Sequence, residues 1–257
     1  MITLDKIRKS YDTYAQNYDS GTELQRSLAD KLINIVEGDG IEFSKILDVG
    51  CGTGYLTSRL NAIGCDISFG MLSRAKDASR GTARRAPTFI QSDACYLPFV
   101  TGSFDLVVSN AAYQWVPDLK IAFKDVKRVL RQKGKFYFVV FNKNTLWQLQ
   151  EACREIGLNA ASENFPNRNR LYEALFRTGF KIDSIETFCY EKYYTDLWDL
   201  LGTLKKIGST SAQNNNIKGL SWRRVLQQIN NLYLEKFGNE NGIPATYEAF
   251  LIKAGYA

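Results

Sequence analysis

The stretch whose residue types and spacing most directly imply chemistry is Ile46-Leu47-Asp48-Val49-Gly50-Cys51-Gly52-Thr53-Gly54. An apolar run leads into an acid and then into three glycines at alternate positions. It reads as a buried strand that ends in a tight turn and opens a helix. Glycine suits such a turn because a positive φ, and a backbone pressed against a ligand, leave no room for a Cβ. The carboxyl end of a parallel strand is also where doubly wound folds bind nucleotides. A dehydrogenase loop would run G-x-G-x-x-G, but here Tyr55 follows Gly50-x-Gly52-x-x and the third glycine is displaced to Gly54, which counts against NAD. The chain contains no histidine. That excludes Ser-His and Cys-His nucleophilic pairs and histidine-ligated metals. Its chemistry has to run on carboxylates, tyrosines, lysines or the reagents themselves.

The elements that must position this loop follow from periodicity. Ile7, Tyr11, Tyr14 and Tyr18 recur at helical steps and predict one face of an amphipathic helix over 4–19. A second helix is expected over 24–36. Strands are then expected at 45–49, 62–65, 88–91 and 104–109, with a short helix from 53 and another at 69–78. Asp118 is a plausible N-cap for a helix reaching Gln132, whose core stripe is Leu119, Ala122, Phe123, Val126 and Leu130. Gly134 should stop it, and Lys135 to Phe141 is too apolar for a half-exposed strand. Alternating elements of this kind predict a parallel sheet with helices on both faces. Beyond 141 a helix is expected at 171–178, a strand at 180–190, helices at 194–207 and 221–237 joined by a polar loop at 208–219, and a last strand at 246–253. An insertion of roughly 50 residues between the last two strands exceeds a hairpin and reads as a cap or binding element.

The pattern D-x-G-x-G-x-G resembles the S-adenosylmethionine loop of class I methyltransferases, and three later stretches match that family in order. Cys65-Asp66-Ile67-Ser68 with Met71-Leu72 resembles the motif whose acid pairs with both ribose hydroxyls. Two adjacent O–H donors can be satisfied by one carboxylate. Ser92-Asp93-Ala94 with Leu97-Pro98-Phe99 resembles the segment whose aspartate accepts from the adenine amino group. Phe104 to Asn110 resembles the strand that ends under the methionine part. Eleven residues separate Gly54 from Asp66, so the first helix after the loop must be short. The resemblance implies a single domain over 1–257 with a Rossmann-like, doubly wound seven-stranded sheet, lid helices over about 1–38 and a helical cap over about 192–243. It implies cofactor contacts from Tyr11, Tyr18, Asp48, Gly50, Gly52, Gly54, Asp66, Ile67, Met71, Asp93, Ala94 and Asn110. The tyrosines either pack on the sheet or fold over the cofactor, where aromatic faces attract a sulfonium. Tyr18 is the candidate positioning residue of the catalytic site.

The segment Ser109-Asn110-Ala111-Ala112-Tyr113-Gln114-Trp115-Val116 discriminates among acceptors. It lacks the Asn-Pro-Pro-Tyr with which amide and adenine N-methyltransferases grip a planar amine. It resembles instead the malonyl-[acyl-carrier protein] O-methyltransferase family, which starts pimeloyl synthesis for biotin, as do 141–149, 200–208 and Pro244 to Glu248. That resemblance implies a malonyl-phosphopantetheine acceptor on acyl-carrier protein, methylated from S-adenosylmethionine to leave S-adenosylhomocysteine. Trp115, Arg168, Arg170, Lys205, Lys206, Arg223 and Arg224 are the candidate acceptor contacts. Another small carboxylate or a quinone-type acceptor, and a non-catalytic fold that only binds a partner, are the alternatives. The intact acids and glycines argue against the last.

Composition agrees with an enzyme of this kind. Apolar residues make up 45% and charged residues 23% of 257 residues, as in ordinary globular domains. The net charge of +6, with pairs such as Arg84-Arg85, Lys205-Lys206 and Arg223-Arg224, suits an acidic partner. The basic residues are scattered and no base-gripping motif occurs, which argues against nucleic acid. Five cysteines (51, 65, 95, 153, 189) without C-x-x-C spacing, no apolar leader after Met1 and no membrane-length apolar run point to the cytoplasm, with no metal site.

Overall fold

The computed structural model describes residues 3–80, 87–209 and 220–256. Arg84, Arg85 and nearly all of the 208–219 loop lie outside them. Seven strands, β1 (Ile46–Val49), β2 (Ile63–Asp66), β3 (Phe89–Gln91), β4 (Phe104–Asn110), β5 (Leu130–Phe141), β6 (Phe180–Tyr194) and β7 (Ile243–Tyr256), form one sheet in the order β3-β2-β1-β4-β5-β7-β6. The first five are mutually parallel, and β7 runs antiparallel to both β5 and β6. The parallel centre accounts for the unbroken apolar runs: both faces are covered, so Leu47, Leu106, Val107 and Val108 are fully buried.

On one face, α2 (Glu23–Gly38) and α3 (Tyr55–Arg59) bury Leu28, Leu32, Val36 and Leu56 against β1, β4 and β5. On the other, α5 (Leu119–Val129) and α7 (Arg168–Arg177) bury Phe123, Val126, Leu171 and Leu175. Asp118 caps α5, its Oδ1 accepting from the backbone N–H of Lys120 and Ile121. α4 (Phe69–Ser79) starts at Ser68, whose hydroxyl accepts from the Met71 N–H. A third core sits above the sheet edge, where α6 (Trp147–Glu155), α8 (Leu197–Lys206) and α9 (Leu220–Phe237) enclose Leu149, Leu200, Ile229 and Tyr233.

Four elements depart from the sequence expectation. α1 (Leu4–Tyr14) stops before Tyr18, which lies on a one-turn 3-10 helix, Tyr18–Gly21. The Tyr11 and Tyr18 rings still meet edge to face at 6.2 Å. α5 ends at Val129 and β5 begins at Leu130 without a turn; the residues before Gly134 form an irregularity where the β4–β5 register slips. Leu130 is buried as its place in the stripe requires, but as a strand residue. α7 starts three residues earlier than expected because Asn167 caps it. The cap is wider than 192–243, because α6 contributes to its core. α6 carries no start signal: Leu146 precedes it in a left-handed conformation with no side-chain cap. Two buried glutamines, Gln148 and Gln150, also blur its apolar period.

Candidate active site

β1 ends at Val49, and the chain turns through Gly50, Gly52 and Gly54, all at positive φ, into α3. The three glycines differ in what they face. A Cβ on Gly50 would lie 2.3 Å from the Cβ of Ala112. On Gly52 it would meet only Tyr18 Cε1, at 3.9 Å, because that position opens into a cavity. On Gly54 it would press on Phe89 and Ala75 at 3.0 and 3.1 Å, so this glycine lets α4 and β3 approach and does not line the cavity.

The cavity, which opens to solvent, lies over the carboxyl ends of β1, β2 and β4 with α1 across it. Tyr11, Tyr18, Gly50, Gly52, Asp66, Ile67, Met71, Asp93, Ala94, Asn110 and Trp115 all line it, as do Leu4 and Ile7. Asp66 keeps open surface toward it although it lies deep in the molecule. Its Oδ2 accepts from the Gly52 N–H at 2.9 Å and its Oδ1 from the Ser68 N–H at 2.8 Å. Burial nevertheless raises its pKa, against the pull of these two N–H groups. Asp93 Oδ1 accepts from the Cys95 N–H. The Asn110 Nδ2 donates to the Gln25 carbonyl, and its buried Oδ1 has no partner among the described residues.

α1 is fastened across the cavity at two points. Asp12 Oδ1 accepts from Ser68 Oγ at 2.7 Å and from the Gly70 N–H at 2.9 Å, which ties the helix to the start of α4. Ser10 Oγ donates to the Gly208 carbonyl at the end of the cap helix α8. Sequence reasoning missed Asp12, since an acid on an exposed-looking helix turn carries no local sign of a distant partner.

A second cavity adjoins the first, sharing Tyr11, Tyr18, Ala111 and Trp115 with it. Its other walls come from Gln25, Gln114, Thr145, Ser162, Phe165 and Tyr247, and from Leu204 and Ile207 of the cap. Among the described residues no charged side chain lines it. The Trp115 ring stands edge-on between Tyr11 at 6.5 Å and Phe165 at 5.1 Å. Among the described residues the buried Gln114 Oε1 has no hydrogen-bond partner, and the buried Trp115 Nε1 has none but the nearby Tyr11 hydroxyl. Burial lifts the Tyr11 and Tyr18 hydroxyls well above the ordinary tyrosine range. They therefore remain protonated donors and cannot serve as bases.

The other candidates lie elsewhere. Arg168 and Arg170 sit on the exposed first turn of α7 and line neither cavity. Arg170 Nη2 donates to the Pro117 carbonyl, and the Arg168 guanidinium stands 5.8 Å from the Phe250 ring. Lys205, Lys206, Arg223 and Arg224 are exposed on α8 and α9. Asp48 is 1% exposed and sits behind the loop, accepting from Thr57 Oγ1 at 2.6 Å. Burial pushes its pKa up to about 7, with the Thr57 hydroxyl opposing. Between an ordinary carboxylate pKa near 4 and about 7, the folded protein thus holds a proton that the unfolded chain has lost. Stability should fall as pH rises across that window, by on the order of a few kcal/mol, and level off above it. Urea denaturation at pH 5 and pH 8 checks this. Asp48→Asn should remove most of the fall, Asp66 supplying the rest, and an unchanged slope in that variant would assign the proton elsewhere.

Residues 47–138 match a family model described as a methyltransferase domain. The malonyl-[acyl-carrier protein] O-methyltransferase of Geobacter sulfurreducens is 35% identical, over 96% of this chain and 97% of that protein. The enzyme of the same name from Methylovorus sp. is 32% identical, over 96% of this chain and 87% of its own. Among solved structures, a methyltransferase-type protein of Bacillus halodurans superposes with a TM-score of 0.65 at 15% identity, covering 88% of this chain and 98% of its own. A geranyl diphosphate methyltransferase in complex with GPP and sinefungin superposes with a TM-score of 0.54 at 15% identity, covering 90% and 77%. At such identities these two show the shared fold.

Proposed function

Because the chain belongs to the malonyl-[acyl-carrier protein] O-methyltransferase family, we propose that it moves a methyl group from S-adenosylmethionine to the free carboxylate of a malonyl thioester on acyl-carrier protein. The ester would prime pimeloyl assembly for biotin. The observation that carries this reading is the pair of joined cavities, one holding carboxylates at a glycine loop and the other lined by neutral side chains.

The donor set of the first cavity fits S-adenosylmethionine. Asp66 has lone pairs beyond those used by Gly52 and Ser68, enough for two ribose hydroxyls. Asp93 and Ala94 would hold the adenine edge, with Ile67 and Met71 as its walls. The unpartnered Asn110 Oδ1 suits the ammonium of the methionine part. Tyr11 and Tyr18 line both cavities, where aromatic rings would attract a sulfonium. When bound, this cofactor supplies an electrophilic methyl group on sulfur. Gly50 and Gly54 shape the loop, and Asp48 braces it from behind through Thr57.

The protein's own part is to orient and to exclude water. A malonyl carboxylate, with a pKa near 4, is ionised at neutral pH and needs no base. That matches a chain without histidine whose buried tyrosines stay protonated. Trp115 Nε1–H, near the Tyr11 hydroxyl, would orient the acceptor, with Tyr18 in the wall of the same cavity. α1 acts as the lid of a single domain, while α2, packed on the sheet, does not move with it, and α8 and α9 form its cap; the contacts of Asp12 and Ser10 hold the lid shut. Lys205, Lys206, Arg223 and Arg224 would meet the acidic carrier. We assign the enzyme to the cytoplasm: its five cysteines are free thiols, and no described helix is long and apolar enough to cross a membrane.

Transfer from labelled S-adenosylmethionine to malonyl-carrier protein, malonyl-coenzyme A and unloaded carrier tests the reading. Label should appear on the malonyl carrier and not on the unloaded one. The double substitution Lys205→Glu/Lys206→Glu should raise KM for the carrier several-fold at low salt, an effect that added salt erodes. Label on no malonyl acceptor, with the cofactor still bound, would overturn the assignment of the acceptor.

A further inference from the structure

The second cavity does not end at the reacting centre. A third continues from it and shares Gln25, Ile207 and Tyr247. Its remaining walls come from the start of α2, from Thr203 on α8, and from Tyr190, Lys192 and Tyr194. The last three are alternate residues of β6 and therefore point to one face of the strand. Tyr194 and Tyr247 join hydroxyl to hydroxyl at 2.9 Å, and the Tyr190 ring lies 6.5 Å from that of Tyr247. Aromatic and polar groups thus line a path from the shared tyrosines of the first cavity out to the edge of the sheet.

At the outer end stands Lys192. Among the described residues lining these three cavities it carries the one positive charge. Its ammonium lies 3.4 Å from a carboxylate oxygen of Glu23, whose side chain is 81% exposed. An exposed pair of this kind is worth little and exchanges readily for a better anion. Lys205 and Lys206 extend the positive charge along the same helix that supplies Thr203 and Ile207.

We propose that this third cavity receives the prosthetic arm of the carrier protein, with Lys192 as the counter-ion of its phosphodiester. This rests on the malonyl-carrier reading and deepens it. The arm is a thin chain with amide groups that bears the acyl thioester at one end and the phosphate at the other. A tyrosine-walled path with neutral polar groups inside and, at the mouth, a cation whose exposed partner Glu23 a phosphate can displace matches that order of chemistry. The malonyl carboxylate then lies at Trp115 and the thioester beyond it. The buried Gln114 Oε1 is an acceptor for an amide N–H of the arm.

The test compares two small acceptors, malonyl-pantetheine and malonyl-4′-phosphopantetheine, which differ only in the phosphate. With the wild-type enzyme, KM for the phosphorylated acceptor should be lower by about tenfold, the scale of one hydrogen bond to a charged group. In Lys192→Ala that ratio should fall to about one, while Lys192→Arg should keep most of it. With the carrier-linked acceptor, Lys192→Ala should raise KM by a similar factor. A ratio that survives Lys192→Ala, a wild-type enzyme indifferent to the phosphate, or an unchanged carrier KM overturns the assignment of Lys192. If no malonyl acceptor takes a methyl group at all, the malonyl-carrier reading itself falls, which is a different result from indifference to the phosphate.

Discussion

Replacing Asp66 with alanine should weaken S-adenosylmethionine binding by about 100-fold or more, the scale of losing two hydrogen bonds to a charged acceptor. The carboxylate does two things at once. It accepts from the Gly52 N–H and from the Ser68 N–H, and so joins the glycine loop to the residue that caps α4. It also faces the cavity with its remaining lone pairs. Alanine removes the ligand contact and strands two backbone donors. Asp66→Asn separates these effects, because the amide oxygen can still accept from one N–H group while the amide nitrogen cannot accept at all. The asparagine variant should therefore hold its thermal midpoint closer to wild type and still lose most of its affinity. Calorimetric titration with the cofactor, beside a melting curve for each variant, measures both. Wild-type affinity in either variant would show that the ribose lies elsewhere.

Gly50→Ala should destabilise the fold by about 3 kcal/mol or more, from left-handed strain together with overpacking. The new Cβ would stand 2.3 Å from the Cβ of Ala112, and the residue sits at φ +72°. Neither side can yield freely, since Ala112 belongs to the short stretch between Asn110 and Trp115 that walls both cavities. Binding should be lost along with stability. Gly202→Ala is the contrast. It lies within α8 with nothing within 4 Å of an added Cβ. It should gain up to about 1 kcal/mol from helix propensity alone. Urea denaturation of both variants decides the matter. If Gly50→Ala melts with the wild type, the loop and the 110–115 segment are free to part.

How far the sequence could be read depended on how local each signal was. The loop at 46–54 was legible because strand, turn and helix start are adjacent in the chain, and because only glycine serves there. The alternation from 46 to 141 was legible because parallel strands buried on both faces leave continuous apolar runs. α6 was not, since a helix packed into a cap can bury Gln148 and Gln150 by giving them partners: Gln148 to Thr246, Gln150 to the Lys143 and Thr145 carbonyls. The second cavity was hidden for a related reason. Gln25, Gln114, Ser162 and Tyr247 are far apart in the chain and ordinary where they stand, so only folding makes them neighbours. Arg168 and Arg170 were natural suggestions for gripping a carboxylate. The cap at Asn167 instead sets α7 so that both guanidinium groups point to the surface.

The inverted last strand has a consequence for descent. β7 returns beside β6, so the chain leaves the sheet after Tyr194 and re-enters it at Ile243, its direct partner across the ladder. Whatever lies between is spliced into one hairpin. It can lengthen, shorten or be exchanged without any strand changing neighbour or register. The strands that hold the glycine loop need not register the change, although the Ser10 bond to Gly208 ties the helix over it to the insertion. A lineage with this topology can therefore remodel one wall of the acceptor cavity, the one built by Leu204 and Ile207, while every strand keeps its place.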